Sequence, residues 1–304
     1  MFKPLKTLIF TVSVSALLAF NPTNAYADEV ILVKSDASIT VNVKLKGYLF
    51  GFKVLRAEYE TAYSETGYRA QAILKTAGLG AFLKKFKIWS ATSGRITGTE
   101  LSPHAHVQQN MNKKHRRVQM AYTENSVHVD IVPRLGSQGV PMASDAQRFE
   151  SDDTLSALLN LMMRGSITSK MPCTGSIPVF DSKQHYNLRM ENAGTRRIRQ
   201  KGYKGDTIRC HVFYEPVSGF DPEDLPNAEE VAAPITMYLA HFEEAGLYIP
   251  VRMTYKISGF KAVIKAREIT IFHNANTAIT PLGPLAALTN PFVVDSSTPD
   301  HAAE

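Results

Sequence analysis

The feature that most restricts the fold of this chain is a strict alternation of apolar and polar residues. Over residues 39–46, apolar side chains occupy every second position, which is the period of a strand with one buried face. Similar segments recur roughly every 8–12 residues and are separated by turn signals such as residues 65–67. Because the links are too short for parallel crossovers, the pattern predicts a mainly antiparallel β-sheet.

Helical patterns are sparse in this sequence. Residues 154–164 are the strongest case, because acidic residues suited to an N-cap precede an apolar run and Gly165 follows it. A second helix is predicted within residues 228–241, starting at Glu229 or Pro234. Residues 78–88 fit either a helix or a loop.

The N-terminus has the three parts of a secretory signal peptide. Lys3 and Lys6 precede the apolar run TLIFTVSVSALLAF, and Ala25-Tyr26-Ala27 forms an A-x-A cleavage site. The apolar run is shorter than the roughly 20 residues of a membrane span, which argues against the alternative of an uncleaved anchor. We expect residues 1–27 to be removed after Ala27.

Export changes the interpretation of the two cysteines. Cys173 and Cys210 are an even number in an oxidising compartment, so an intrachain disulfide is the expected state. The alternatives are two buried thiols or a redox pair, and the second is disfavoured because the sequence has no C-x-x-C.

The full chain has a net charge of +6, and its positive charge is concentrated in the first half. Residues 28–134 hold 16 Lys and Arg against 9 Asp and Glu, whereas residues 135–304 hold 16 against 19. A basic half suits an anionic partner such as a phospholipid or glycolipid surface, and an ordinary solvated surface is the alternative. The basic run KKHRR at residues 113–117 would suggest nucleic acid in a cytosolic protein, but export argues against that partner.

A segment over residues 78–89 combines large apolar side chains with lysines, as a membrane-surface segment does. The residues predicted to contact a membrane or lipid are Leu79, Phe82, Lys84, Lys85, Phe86, Lys87 and Trp89. The alternative is a helix or loop that closes one end of the sheet and buries its apolar residues in the core.

No catalytic or metal-binding motif is evident. His104 and His106 lie on one face of an extended segment, but no acid or cysteine nearby supplies the third or fourth ligand that a metal needs. Hydrolase motifs such as G-x-S-x-G and H-E-x-x-H are absent, and so are Gly-rich phosphate loops. We therefore predict no enzyme activity, no metal and no cofactor.

Four blocks occur in order along the chain: TAGLGAFLKKFKIWSATSGRITG, DTLSALLNLM, IPVFDSKQHYNL and YKGDTIRCHVFYEPVSGF. Together they resemble the alphaproteobacterial branch of the exported bacterial family known as domain of unknown function 3108. The resemblance implies a periplasmic, β-rich protein without an assigned reaction. Its shape is similar to the half-barrels of periplasmic lipoprotein carriers, which hold acyl chains inside, and Cys173 and Cys210 fall at family-like places.

These observations predict a mainly β fold, in which a curved antiparallel sheet or open half-barrel wraps around one or two helices. One domain is expected over residues 28–273, followed by a loose tail over residues 274–304. The leading functional hypothesis is a non-enzymatic periplasmic envelope protein that binds a lipid or a lipoprotein acyl chain in an apolar concave face. The alternative is a structural or protein-interaction module with a filled core and no small ligand.

Overall fold

The computed structural model describes residues 37–83, 85–98, 100–111, 115–165, 171–257 and 259–274. The predicted signal peptide, its cleavage site after Ala27 and the predicted tail beyond Asn274 lie outside these residues. Asn274 itself is the last residue of a strand, one position past the predicted end of the β domain.

The described residues form thirteen strands and five short helices. The strands are β1 (Ser38–Leu49), β2 (Phe52–Tyr63), β3 (Gly67–Thr76), β4 (Lys87–Thr97), β5 (Glu100–Asn110), β6 (Arg117–Tyr122), β7 (Val127–Val132), β8 (Gly175–Phe180), β9 (His185–Gln200), β10 (Tyr203–Ser218), β11 (Ile235–Phe242), β12 (Leu247–Ile257) and β13 (Phe260–Asn274). The helices are α1 (Gly80–Leu83), α2 (Asp145–Phe149), α3 (Thr154–Met163), α4 (Ala228–Ala232) and a 3-10 turn (Pro222–Asp224).

All thirteen strands belong to one sheet, in the order β7-β6-β5-β4-β3-β2-β1-β13-β12-β11-β10-β9-β8. Each strand pairs antiparallel with its neighbours, and the first strand pairs with the last, with Val41 opposite Ile271. The alternation predicted for residues 39–46 is confirmed, because Val41 and Val43 are buried on the core side. Strands β7 and β8 are the two edges, so the sheet is not closed by strand pairing.

Helix α3 lies inside the curve of the sheet. It contacts β3, β4 and β5 as well as β8 and β12, which are far apart in the strand order. Such strands can meet one helix only if the sheet curls around it, which confirms the predicted sheet wrapped around a central helix. The helix begins where predicted, because the Asp153 carboxylate accepts from the backbone N–H groups of Leu155 and Ser156. Seven of its ten residues are buried.

One secondary-structure prediction needs correction. The second predicted helix ends early: α4 stops at Ala232, and residues from Ile235 onward form β11. Pro234 separates them, and its ring disfavours helical geometry in Ala233.

Cys173 and Cys210 form a disulfide, as predicted. Cys173 precedes the edge strand β8 and Cys210 lies in β10, so the bond spans β9 and ties the edge hairpin to the next strand. Both side chains are fully buried.

Candidate functional site

One end of the sheet, the tip end, carries a concentration of positive charge. The turns β1–β2, β3–β4, β5–β6 and β12–β13 all lie at this end because neighbouring strands are antiparallel. The segments around these turns are residues 46–57, 72–92, 109–119 and 252–267. They hold three, four, four and five Lys or Arg residues and no Asp or Glu.

The opposite end of the same strands carries the acids. The turns β2–β3, β4–β5, β6–β7 and β11–β12 contain or adjoin exposed acids, namely Glu65, Glu100, Glu124, Glu243 and Glu244. Five further acids lie in the β10–β11 connection, which the same alternation of strands places at the tip end, although in the other half of the strand order. One of them, Asp221, binds Lys183 at 2.5 Å. Over β12, β13 and β1 to β6, the sheet therefore has a positive and a negative end.

Exposed apolar side chains lie among the cations of the tip end. The tip cluster consists of Phe50, Phe52, Leu79 and Phe260, which are 63%, 58%, 48% and 52% exposed. The rings of Phe50 and Phe260 meet edge to face across two turns, with centroids 4.7 Å apart. Phe50 has a φ of 52°, a left-handed conformation that suits Gly or Asn far better than a bulky residue. An exposed aromatic side chain held at this φ points to a role in binding rather than in folding.

Leu79 is held close to β2 by the two glycines that flank it. A Cβ on Gly78 would lie 2.4 Å from the Lys53 carbonyl oxygen, and one on Gly80 would lie 2.4 Å from that of Val54. Only glycine permits this approach, so the β3–β4 connection packs directly on β2. The Ala77 N–H also donates to the Val54 carbonyl at 3.0 Å.

The structure separates the seven residues predicted to contact a membrane or lipid. Leu79 and Lys85 are exposed, while Phe86 and Lys87 are half-buried. Trp89 is only 1% exposed and packs with Ala91, Ala105, Val107 and Ile73, so the prediction that it lies at the surface is wrong. Lys84 and the side chain of Phe82 are outside the described part of the structure.

A row of cations crosses the outer face of the sheet, one on each of five neighbouring strands. This cationic row, in which each residue is the direct partner of the next, consists of Lys75, Arg56, Lys46, Lys265 and Arg252. Direct partners share a face, and Lys46 faces away from the core because its neighbour Leu45 packs on the core. Like charges directly opposite each other destabilise a sheet. The row therefore favours an anionic partner.

The sequence reasoning singled out Leu79 and missed the three aromatic residues of the tip cluster. The signal that marks them is the acid-free stretch around each turn, which becomes visible only when four segments are read together. Their proximity depends on the β1–β13 pairing, because Phe50 and Phe260 are 210 positions apart in the chain.

The interior contains a buried polar network at the start of α3. Asp153 Oδ2 accepts from Thr92 at 2.7 Å and from Ser156 at 2.5 Å, and Ser156 accepts in turn from Tyr68 at 2.8 Å. The other carboxylate oxygen of Asp153, Oδ1, lies 2.9 Å from Nδ1 of His106. The serine donates to the carboxylate rather than to the histidine, and all five residues are at most 3% exposed. This geometry fixes the helix and leaves no room for a substrate.

His104 and His106 do not form a metal site together with other ligands. His106 contacts Asp153 inside the core, whereas His104 lines a depression of about 550 Å³ at the opposite end of the sheet from the tip. Among the residues that the structure describes, no group of three His, Cys, Asp or Glu side chains is placed to hold a metal ion.

The space inside the curved sheet is filled. Helix α3 occupies it, and side chains such as Leu159, Ile177, Leu239 and Ile249 have no measurable exposure. An acyl chain would have to displace this helix in order to enter.

The fold and the site define a class: an open, curved antiparallel sheet around a central helix, with a cationic end that carries exposed aromatic residues. The chain belongs to the DUF3108 family of proteins of unknown function, whose model matches residues 38–264. Among solved structures, it is similar to the beta-barrel-like protein of domain of unknown function DUF1849 from Brucella abortus. That similarity has 10% identity and a TM-score of 0.42, and it covers 78% of this chain and 98% of that one. No curated protein matches the chain.

In the described part of the chain, no helix has the length and apolar character needed to cross a membrane.

Proposed function

We propose that this chain is a non-enzymatic, exported protein of the cell envelope that attaches to anionic lipid surfaces through its tip end. The observation that carries the proposal is the exposed Phe50–Phe260 pair, in which Phe50 has an unfavourable φ, among turns that hold cations and no acids. Exposed apolar patches rimmed by polar residues commonly mark interaction surfaces.

The chemistry of the tip end fits the boundary between lipid headgroups and acyl chains. Aromatic rings favour this region, and each Lys or Arg close to an anionic surface contributes about 1 kcal/mol. Lys53, Lys85, Lys256 and Lys261 belong to the same turns or adjoining strand ends as the tip cluster. Attachment of this kind is reversible and weakens with salt, because part of its free energy is screened.

The filled interior supports surface attachment over storage of an acyl chain in the concave face. In the storage alternative, α3 would have to leave a core in which seven of its ten residues are buried. Native mass spectrometry of protein purified from its native source, with lipid extraction, separates the two. A bare mass is expected, and a stoichiometric lipid adduct would favour storage.

The test of attachment uses mature protein and vesicles of phosphatidylcholine with or without phosphatidylglycerol. We expect the protein to sediment with the vesicles that contain phosphatidylglycerol and not with phosphatidylcholine alone. Phe260→Ser should lower partitioning onto the anionic vesicles by about tenfold, because it removes apolar area from the tip cluster. Leu225→Ser is the matched control, because Leu225 is 50% exposed in the β10–β11 connection, outside the tip cluster. Equal binding of both variants would overturn the proposal.

A further inference from the structure

A depression of about 540 Å³ on the outer face of the sheet adjoins the cationic row. The cations that line it are Lys44, Lys46, Arg56, Lys201 and Arg267. They come from β1, β2, β13 and the β9–β10 turn, so segments far apart in the chain bring positive charge to one place.

These cations outnumber the carboxylates in the lining, which are Glu58 and Glu268. Lys44 Nζ binds Glu268 at 2.7 Å, so that carboxylate is already paired. Among the described residues, no carboxylate oxygen lies within 4 Å of the charged nitrogens of the other four cations. Glu58 is exposed and stands opposite Lys44 on the neighbouring strand, which leaves the depression with net positive charge.

Arg267 is fixed in position without an anionic partner. It lies at the point where the β1–β13 register shifts by one residue, and its guanidinium donates to the Tyr48 hydroxyl. The same guanidinium lies 5.2 Å from the centre of the Tyr48 ring, and its Nε is buried without an acceptor. A buried donor without an acceptor is costly, which points to a missing acceptor.

The β9–β10 turn is held against this arginine. A Cβ on Gly202 would lie 2.6 Å from the Arg267 carbonyl oxygen, so only glycine permits the contact. Gln200 secures the same turn by donating to the carbonyl of Val251 at 2.8 Å and to that of Ala266 at 3.3 Å. Lys201 therefore has a defined place on the rim of the depression.

We propose that this depression binds a phosphate group, carried by a small phosphate ester or by a phospholipid headgroup. A phosphate offers several acceptor oxygens and up to two negative charges, which match converging Lys and Arg donors. The site is distinct from the tip cluster and does not rest on the proposed membrane attachment.

The test measures binding of inorganic phosphate and glycerol 3-phosphate to the mature protein by calorimetry, and binding of vesicles that contain phosphatidic acid by sedimentation. We expect Lys46→Gln and Lys201→Gln each to weaken binding by about tenfold, the effect of one lost charge-assisted contact. Lys204→Gln is the control, since Lys204 is an exposed lysine of the same hairpin outside the depression.

The outcomes distinguish the sources of the phosphate and separate this inference from the attachment proposal. Soluble anions that bind and respond to Lys46→Gln support a site for a free ester. If Lys46→Gln and Lys201→Gln weaken binding of the vesicles and the soluble anions do not bind, the result supports a phospholipid headgroup. Phe260 does not line the depression, so Phe260→Ser is expected to leave any binding of inorganic phosphate unchanged. If no probe distinguishes Lys46→Gln and Lys201→Gln from Lys204→Gln, the proposal fails, whatever Phe260→Ser does to vesicles.

Discussion

Asp153 joins the central helix to the sheet through His106: its Oδ1 lies 2.9 Å from the imidazole Nδ1, although Nδ1 is not aimed for a hydrogen bond. The same oxygen accepts the first free N–H groups of α3, so one carboxylate both starts the helix and anchors it to β5. Because the carboxylate has no exposure, each of these contacts forms away from water.

Replacing Asp153 tests this anchoring role. Asp153→Ala removes the helix cap and the carboxylate to which Thr92 and Ser156 donate, so we expect a loss of about 3–5 kcal/mol in the free energy of unfolding. Urea unfolding of the protein without residues 1–27 measures this loss. Asn227→Ala is the control, because Asn227 caps the short, unburied helix α4, and about 1 kcal/mol is expected there. Equal losses would contradict the anchoring role.

The same carboxylate predicts a pH dependence of stability. Burial alone would raise the pKa of Asp153, but the interaction with the adjacent His106 and hydrogen bonds from Ser156 and Thr92 hold that pKa below its ordinary value. A lowered native pKa stabilises the fold above the unfolded value of about 3.9, and this contribution is lost as pH falls through the native pKa. The stability difference between wild type and Asp153→Asn should therefore shrink as the pH falls below about 5, as followed by urea midpoints. A constant difference would contradict the lowered pKa.

The disulfide should stabilise the edge hairpin substantially. Cys173 and Cys210 are 37 positions apart, and a loop of this size corresponds to about 4 kcal/mol in the chain-entropy model. We expect the double substitution of both cysteines by serine to lower the free energy of unfolding by about 2–4 kcal/mol, measured by urea unfolding. Alkylation of denatured, non-reduced wild type supplies the control, and labelling of both cysteines there would exclude the bond.

Local sequence patterns were sufficient for the strands and for the central helix. The alternation over residues 39–46 specifies a buried face whatever strand pairs with it, and an acidic cap before an apolar run specifies where α3 begins. The wrong helix prediction at β11 has a different origin. Residues 235–241 carry both helix-forming and strand-forming side chains, and pairing with the strands β10 and β12 decides between the two structures.

The candidate site could not be predicted in the same way, because it depends on contacts between distant segments. Lys46 and Lys265 become neighbours only when the first and last strands pair. Trp89 was misplaced for a related reason: its position among lysines suggests an interface, whereas its burial depends on β3 and β5 beside it. Composition showed a basic half of the chain, but topology is needed to collect that charge at one end.

Two glycines with similar backbone angles should respond very differently to alanine. Gly194 and Gly219 have φ of 86° and 80°. A Cβ on Gly194 would meet nothing within 4 Å, whereas one on Gly219 would lie 1.9 Å from the Lys183 carbonyl oxygen. We expect Gly194→Ala to cost about 1 kcal/mol and Gly219→Ala about 3 kcal/mol, measured by thermal unfolding. Equal costs would mean that the turn after β8 can move away from β10.

Phe50 should lower the stability of the fold that carries it. Its φ of 52° is unfavourable for a bulky residue and tolerated by Asn, so we expect Phe50→Asn to stabilise the protein by about 1 kcal/mol, or about 2–3 °C in Tm. Phe260→Asn is the matched control, because it removes the same ring contact without relieving a left-handed residue. A variant that melts higher yet partitions less onto anionic vesicles would mean that Phe50 serves binding at the expense of stability. A lower Tm for Phe50→Asn than for Phe260→Asn would mean instead that Phe50 holds the turn together.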